Sequence, residues 1–498
     1  MNDARTATRA AEDTRLEVVD VAIVGAGLAG IGMATRLARR GRDTFVVLER
    51  AADVGGTWRD NRYPGVACDV PARIYEYSFR PPGDWSSLFA DGHEIARYLR
   101  DTVRDEGLAP HIRLHTEVVE ARFDDEQRRW LVATTTGTVL ARVLVTAVGR
   151  LSEPRLPDVD GVDEFPGSLF HSAAWDSSAP IEGAAVAVVG TGASAVQIVP
   201  QLARSARSVV VLSRTPPWIV PRGNRRYSDE ERRMRRDEST ARAERDDLFA
   251  DADVNVRERL GPGDELEQIR EKALGHLRRQ VPDARLRGLL TPSYEIGCKR
   301  ILLSDDFYPA LGEPHVTFEP SALARIDGDA VVAASGARYT VDTVVAATGF
   351  FATDMPFAQR VVGRGGTTLA QRWSRGMTSY ASTAVHGFPD MFVLDGPNAA
   401  LGHNSALYMI ETQIDYVLGA LDTLAADPGL CLEVTEDAEA EYTREIDTRA
   451  ESTVWLRGGC ESWYVDPRSH RLTLLWPGTG ASFRERNGRF SAAPYRQV

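Results

Sequence analysis

Two glycine-rich stretches constrain this chain more than any other feature: Gly25-Ala-Gly27-Leu-Ala-Gly30 and Gly190-Thr-Gly192-Ala193-Ser194-Ala195. Each follows an apolar, β-branched run (18–24 and 184–189) and opens a stretch with helical spacing (31–40 and 197–204, the latter beginning at Gln197). A strand that breaks on glycines at the mouth of a helix lets the backbone approach a pyrophosphate seated on the helix N-terminus. The strict G-x-G-x-x-G pattern lapses in the second copy, where Ala195 takes the third place. That place serves helix–strand packing rather than phosphate approach, so Ala is tolerated. Two such units predict an α/β chain with two dinucleotide-binding, Rossmann-like domains.

The residues closing the next strand of each unit predict which nucleotide it takes. In the first, 44–48 ends on Glu49, about 20 residues past the glycines, where a carboxylate can hold a ribose hydroxyl. In the second, 208–213 runs into Arg214-Thr215 at the place read as equivalent to the acid. A guanidinium there binds a 2′-phosphate that a carboxylate would repel, which points to NADPH; read alone, Arg214 is a solvated charge at a strand end.

Between the two units, Pro154 and Pro157 punctuate a linker that leads into Phe165-Pro-Gly167-Ser-Leu-Phe-His171-Ser-Ala-Ala-Trp175-Asp176, the spacing F-x-G-x-x-x-H-x-x-x-W-D. Read by itself this is an ordinary aromatic linker with a structural histidine. In register between two nucleotide units it resembles the fingerprint of type I Baeyer–Villiger monooxygenases, flavoproteins that use FAD, NADPH and O2 to insert oxygen beside a ketone carbonyl. The resemblance extends from about 18 to 483. It implies a second nucleotide domain inserted into the first: 16–155 and 345–498 for FAD, 156–344 for NADPH, with a helical insertion at 222–290. The polar stretch 1–15, acids among its arginines and no apolar core, reads as a disordered tail. Val344 to Phe350 resembles the strand by which such chains return to the FAD domain.

The same resemblance assigns roles. Gly56, Thr57 and Trp58 line the flavin, Asp69 sits beside its ring and Tyr75 touches FAD; without the family, Asp69 reads as a turn or cap residue. In Gly297-Cys298-Lys299-Arg300 it assigns Lys299 to the NADPH 2′-phosphate and Arg300 to the flavin, where the cation would stabilise the C4a-peroxyflavin and the oxyanion adduct that yields an ester or lactone. Asp69 is then the ion-pair partner that aligns Arg300, and His171 a hinge of the linker. His403, with no visible partner, reads as structural. The rival within flavin chemistry is a monooxygenase of nitrogen or sulfur centres, which usually lacks the Trp-Asp ending. A disulfide-reductase-like enzyme would need a closely spaced redox cysteine pair, and a degenerate binding protein would not keep these charged residues.

Composition closes off other classes. A net charge of −12 argues against nucleic-acid or anionic-membrane binding, and no apolar run approaches the ~20 residues that span a bilayer. The 4 cysteines are too few and scattered for a disulfide framework and show no metal-binding spacing, so a cytoplasmic, reducing setting is expected. Lys272 and Lys299 are the chain's two lysines, which marks Lys299 in a sequence that otherwise uses arginine.

Overall fold

The computed structural model describes residues 16–254 and 264–498. The tail at 1–15 and Gly261-Pro-Gly263, expected to interrupt the helical insertion, lie outside the described residues.

Two parallel arrays carry the architecture. The first orders Met391–Val393, Gly137–Thr146, Leu16–Val24, Phe45–Leu48 and Ile112–Arg113 side by side, all parallel. The second orders Ser168–His171, Thr343–Ala346, Ala185–Val189, Ser208–Leu212 and Val316–Glu319 in the same way. Strand by strand they correspond, although chain order differs. Almost every residue of the central strands is buried, because each array is covered on both faces, by helices on one and by antiparallel strands on the other, and has no polar side. The first array extends into an antiparallel meander, Gly137–Thr146 with Arg129–Thr134 and Val118–Asp124, closed by Val361–Val362.

Local contacts set the element boundaries. The amphipathic pattern over 89–106 forms the helix Gly92–Asp105, whose start is fixed by a reciprocal capping box of Asp91 and Glu94. The apolar stretch 112–118 is split between Ile112–Arg113 and Val118–Asp124, which begins a different ladder. The helical pattern over 228–249 breaks after Met234 and restarts at Glu238, since Asp237 accepts the Thr240 amide at 2.9 Å. The strand at 344–350 does not re-enter the first sheet. Its strand residues, Thr343–Ala346, pair between Ala185–Val189 and Ser168–His171, so the crossing back lies after Ala346.

The two crossings run antiparallel beside each other. Arg155 donates its amide to Gly349 and Phe351 to Glu153, at 2.9 and 3.0 Å. The fingerprint sits here as the edge strand of the second array. A Cβ on Gly167 would lie 2.3 Å from the Asp342 carbonyl and 2.8 Å from the Phe165 ring, which explains why Phe and Gly occur together.

Candidate active site

At the carboxyl ends of the first array, the turn glycine Gly25 (φ +102°) would place a Cβ 2.6 Å from the Ala147 carbonyl, so only glycine fits. Gly30 lies behind it, its would-be Cβ 1.8 Å from the Gly25 carbonyl, which draws the helix onto the strand. Gly27 then leads Leu28–Ala38 with no side-chain cap, leaving the first amides of the helix open to a cleft. Glu49, Gly56, Thr57, Trp58 and Tyr75 line that cleft with Gly25 and Gly27. Gly56 faces Gly27 so closely that a Cβ would stand 3.0 Å from its Cα. Glu49 is buried; its carboxylate accepts the Ala26 and Ala51 amides, each at 2.9 Å, and pairs with Arg59 at 2.9 Å. Trp58 meets Tyr75 edge-on, with ring centroids 5.7 Å apart.

The second array repeats this geometry. Gly190 (φ +108°) would push a Cβ to 2.5 Å from the Ala347 carbonyl, and Gly192 precedes the uncapped helix Ala193–Ser205 with open space around it. Ser194 and Ala195 lie in its first turn. The strand ends differ from expectation by one residue. Gly25 donates to Leu48 and Gly190 to Leu212, so Ser213, not Arg214, stands where Glu49 stands. Ser213 bonds the Thr191 hydroxyl at 3.0 Å, and that hydroxyl also reaches the Thr215 carbonyl at 3.3 Å. Arg214 follows, 69% exposed, 3.5 Å from Glu461. Lys299 stands over the Tyr294 ring at 5.1 Å. Burial, and then the Arg214 charge, push its ammonium below the ordinary lysine value. Lys299 and Arg214 thus stand close enough for their charges to repel.

Gln197, a further candidate for the second nucleotide, takes the Tyr63 hydroxyl on its side-chain oxygen at 3.0 Å and gives to the Ala67 carbonyl at 2.9 Å, so it ties the second helix to the first unit.

The Ala67–Asp69 loop of the first unit meets Arg300 from the second. Arg300 donates its Nε to Asp69 Oδ2 at 2.7 Å, with about a quarter of each side chain exposed. Burial opposes both charges, yet each partner keeps the other ionised: Asp69 is held below the usual carboxylate range and Arg300 above its ordinary value. A permanent, aligned cation thus stands where the two units meet.

Comparison places this geometry. Residues 22–230 match the family described as pyridine nucleotide-disulphide oxidoreductase. The chain is 42% identical over 482 residues to a Baeyer-Villiger monooxygenase of Streptomyces coelicolor, covering 96% of this chain and 93% of that one. It is 39% identical to one of Pseudomonas aeruginosa, covering 95% and 90%. The chain belongs to the Baeyer–Villiger monooxygenase family. Among solved structures it resembles an oxidised steroid monooxygenase bound to NADP (30% identity, TM-score 0.84, 97% and 99% covered). It also resembles a cyclohexanone monooxygenase from Rhodococcus sp. Phi1 bound to NADP+ (26% identity, TM-score 0.85, 97% and 99% covered).

Against that family the remaining residues find places. His171 is buried, accepts the Ala173 amide on Nδ1 at 3.1 Å and meets Phe350 of the returning crossing edge-on at 5.4 Å. It touches the linker, not Arg300 or Asp69. Trp175 packs on Phe170 with centroids 5.1 Å apart, while Asp176 caps a surface turn through Ser178. His403 lies 3.3 Å from Asp253, which also binds Asn404 and the Gly480 amide.

The sequence reading missed three features. Arg150 and Asp395, paired at 2.5 Å, line the first cleft from segments 245 residues apart. Arg222 reaches the Cys68 carbonyl at 2.9 Å, beside Asp69. The expectation against disulfides is corrected: Cys298 and Cys460 are bonded, their Cα atoms brought to 6.2 Å across 162 residues of chain, while Cys68 and Cys431 are free and buried. Spacing along the chain carries no signal of such a meeting. Among the described residues no cluster of ligands could hold a metal, and no helix is long and apolar enough to cross a membrane.

Proposed function

We propose that this chain is an FAD- and NADPH-dependent monooxygenase that converts a ketone to an ester or lactone with O2. The observation that carries it is the Arg300–Asp69 pair joining two uncapped nucleotide turns. FAD fits the first turn, where facing Gly27 and Gly56 leave backbone amides bare and Glu49 is at hand for a ribose hydroxyl. NADPH fits the second, where Arg214 and Lys299 take the 2′-phosphate and Thr215 flanks it. Bound FAD, reduced by NADPH, supplies the activation of O2 that delivers an oxygen atom beside a carbonyl.

The chain's own part is charge and orientation. Arg300 stabilises negative charge as it builds on the ketone oxygen, and Asp69, fixed at Nε, leaves the terminal guanidinium nitrogens to face the reacting atoms. Trp58 and Tyr75 wall the site with apolar surface that excludes water. His171 holds the two crossings as a hinge, and the inserted second unit carries the NADPH side. We place the enzyme in the cytoplasm, where NADPH is regenerated.

The test is to offer linear, cyclic and polycyclic ketones and a sulfide with NADPH and O2, and to identify products by mass. Esters or lactones are expected; sulfoxide alone overturns the reading. Arg300→Ala should keep FAD bound and reducible by NADPH while ketone conversion falls at least ~100-fold, the scale of losing one preorganised oxyanion donor. Full ketone turnover in that variant returns Arg300 to a nucleotide-binding charge.

A further inference from the structure

The Cys298–Cys460 bond lies between two short segments that carry the site's charges. On one side Cys298 precedes Lys299 and Arg300; on the other Cys460 precedes Glu461, which faces Arg214, and Tyr464. The junction is tight. A Cβ on Gly458 would stand 2.6 Å from the Cys298 Cβ, and the Gly458 carbonyl accepts the Glu295 amide at 2.9 Å.

Tyr464 is 1% exposed, and its hydroxyl finds no hydrogen-bond partner among the described residues. An unpaired buried hydroxyl is costly, so a partner is expected when the site is filled. Tyr464 packs in one buried cluster with Cys298 and Ile301, the residues on either side of Lys299-Arg300, which sets its ring beside the Arg300 segment. Hydrogen bonds of this kind are often long until ligands close the site.

We propose that Tyr464 and the Cys298–Cys460 bond form one clamp that positions Arg300 and Lys299 for NADP binding and oxygen transfer. Asp69 fixes Arg300 at Nε from the first unit, and Tyr464 closes on the guanidinium from the C-terminal segment. The covalent bond keeps that segment in register, because Tyr464 lies only four residues past Cys460. The clamp is therefore open to thiol chemistry. A dithiol transfers two electrons to the S–S bond, leaving two thiols and becoming a disulfide itself; hydrogen peroxide restores the bond and leaves as two waters.

This inference rests on the NADPH assignment above, and its test separates the two. The FAD-loaded enzyme is treated with dithiothreitol until mass analysis shows both cysteines alkylatable, and NADP+ affinity is measured by calorimetry, with no ketone present. Opening the clamp should weaken NADP+ binding about tenfold, the loss of one charge-assisted contact, and reoxidation should restore it. Cys298→Ser and Cys460→Ser should each behave as the reduced enzyme and ignore dithiothreitol. Tyr464→Phe should leave NADP+ affinity unchanged while kcat for the ketone falls roughly tenfold and more NADPH electrons emerge as hydrogen peroxide. Unchanged affinity and coupling in fully reduced enzyme, or a loss of thermal stability alone, overturns the clamp. A normal affinity shift in an enzyme that makes no ester or lactone leaves the clamp standing and sinks the proposed reaction.

Discussion

The two nucleotide units are the same device built twice, and their differences are concentrated in three side-chain positions. Both present an uncapped helix behind a glycine whose Cβ would collide with a carbonyl of the neighbouring strand's end, Ala147 in one and Ala347 in the other. The third small residue differs: Gly30 would strike the Gly25 carbonyl, whereas Ala195 keeps its Cβ in the packed core. The strand end differs: buried Glu49 with Arg59 against neutral Ser213 followed by exposed Arg214. The outer neighbour strand differs too, since Val393 pairs with Thr146 where His171 pairs with Ala346. A common backbone thus builds both turns, and a few side chains give each its own charge and packing.

The sharpest way to break the comparison is at the third small residue. Gly30→Ala must displace the turn by the 1.8 Å contact with Gly25, so destabilisation at or above the top of the ~1–3 kcal/mol range for overpacking is expected, with FAD lost on purification. Ala195→Gly removes a Cβ from a helix and should cost about 1 kcal/mol while NADPH is still used. Thermal denaturation and the flavin-to-protein absorbance ratio measure both. Comparable losses in the two variants would show that the units do not differ at this position.

The strand ends come next in size. Arg214→Ala should raise KM for NADPH roughly ten- to a hundredfold, about 1.5–3 kcal/mol for charge-assisted hydrogen bonds, and leave NADH nearly unaffected. The first unit offers the control. Arg50, in register with Arg214, is paired with Glu153 at 2.6 Å, and Arg50→Ala should leave the NADPH preference intact. Equal use of both nucleotides by the unmodified enzyme would refute the 2′-phosphate assignment.

What the sequence disclosed follows from the range of the interactions involved. The glycine turns, the strand before each and the helix after each are local patterns, and they were readable to within a few residues. The Arg300–Asp69 meeting came through family resemblance, because nothing local joins positions 231 apart. The one-residue displacement between Glu49 and Ser213 needed the strand register, which depends on pairing between distant segments. The contacts of Gln197 were hidden for the same reason: its spacing places it on the nucleotide helix, but the loop at Tyr63–Ala67 that it bonds belongs to the other unit. Arg150 with Asp395 and Cys298 with Cys460 are contacts of tertiary structure, invisible to periodicity.

The smallest expected effect concerns the outer strands, where one unit carries a titratable side chain and the other does not. Burial lowers the His171 pKa below the ordinary histidine value, and the Ala173 amide needs a bare Nδ1 to receive it, so the folded protein keeps the ring neutral with its proton on Nε2. The unfolded chain takes up a proton near pH 6.5, while the folded one resists until lower pH. Folding therefore releases a proton in that window, and stability rises with pH: the contribution is complete above about 6.5 and is lost as pH falls toward the depressed value, with a slope of at most ~1.4 kcal/mol per unit for one site. Asn at this position can still accept from Ala173 but cannot titrate. Melting temperatures from pH 8 to pH 5 should fall less steeply in His171→Asn than in the parent, and the difference should appear on the acid side alone. A parallel fall in both proteins would assign the acid sensitivity elsewhere and leave His171 a packing residue no different in kind from Val393.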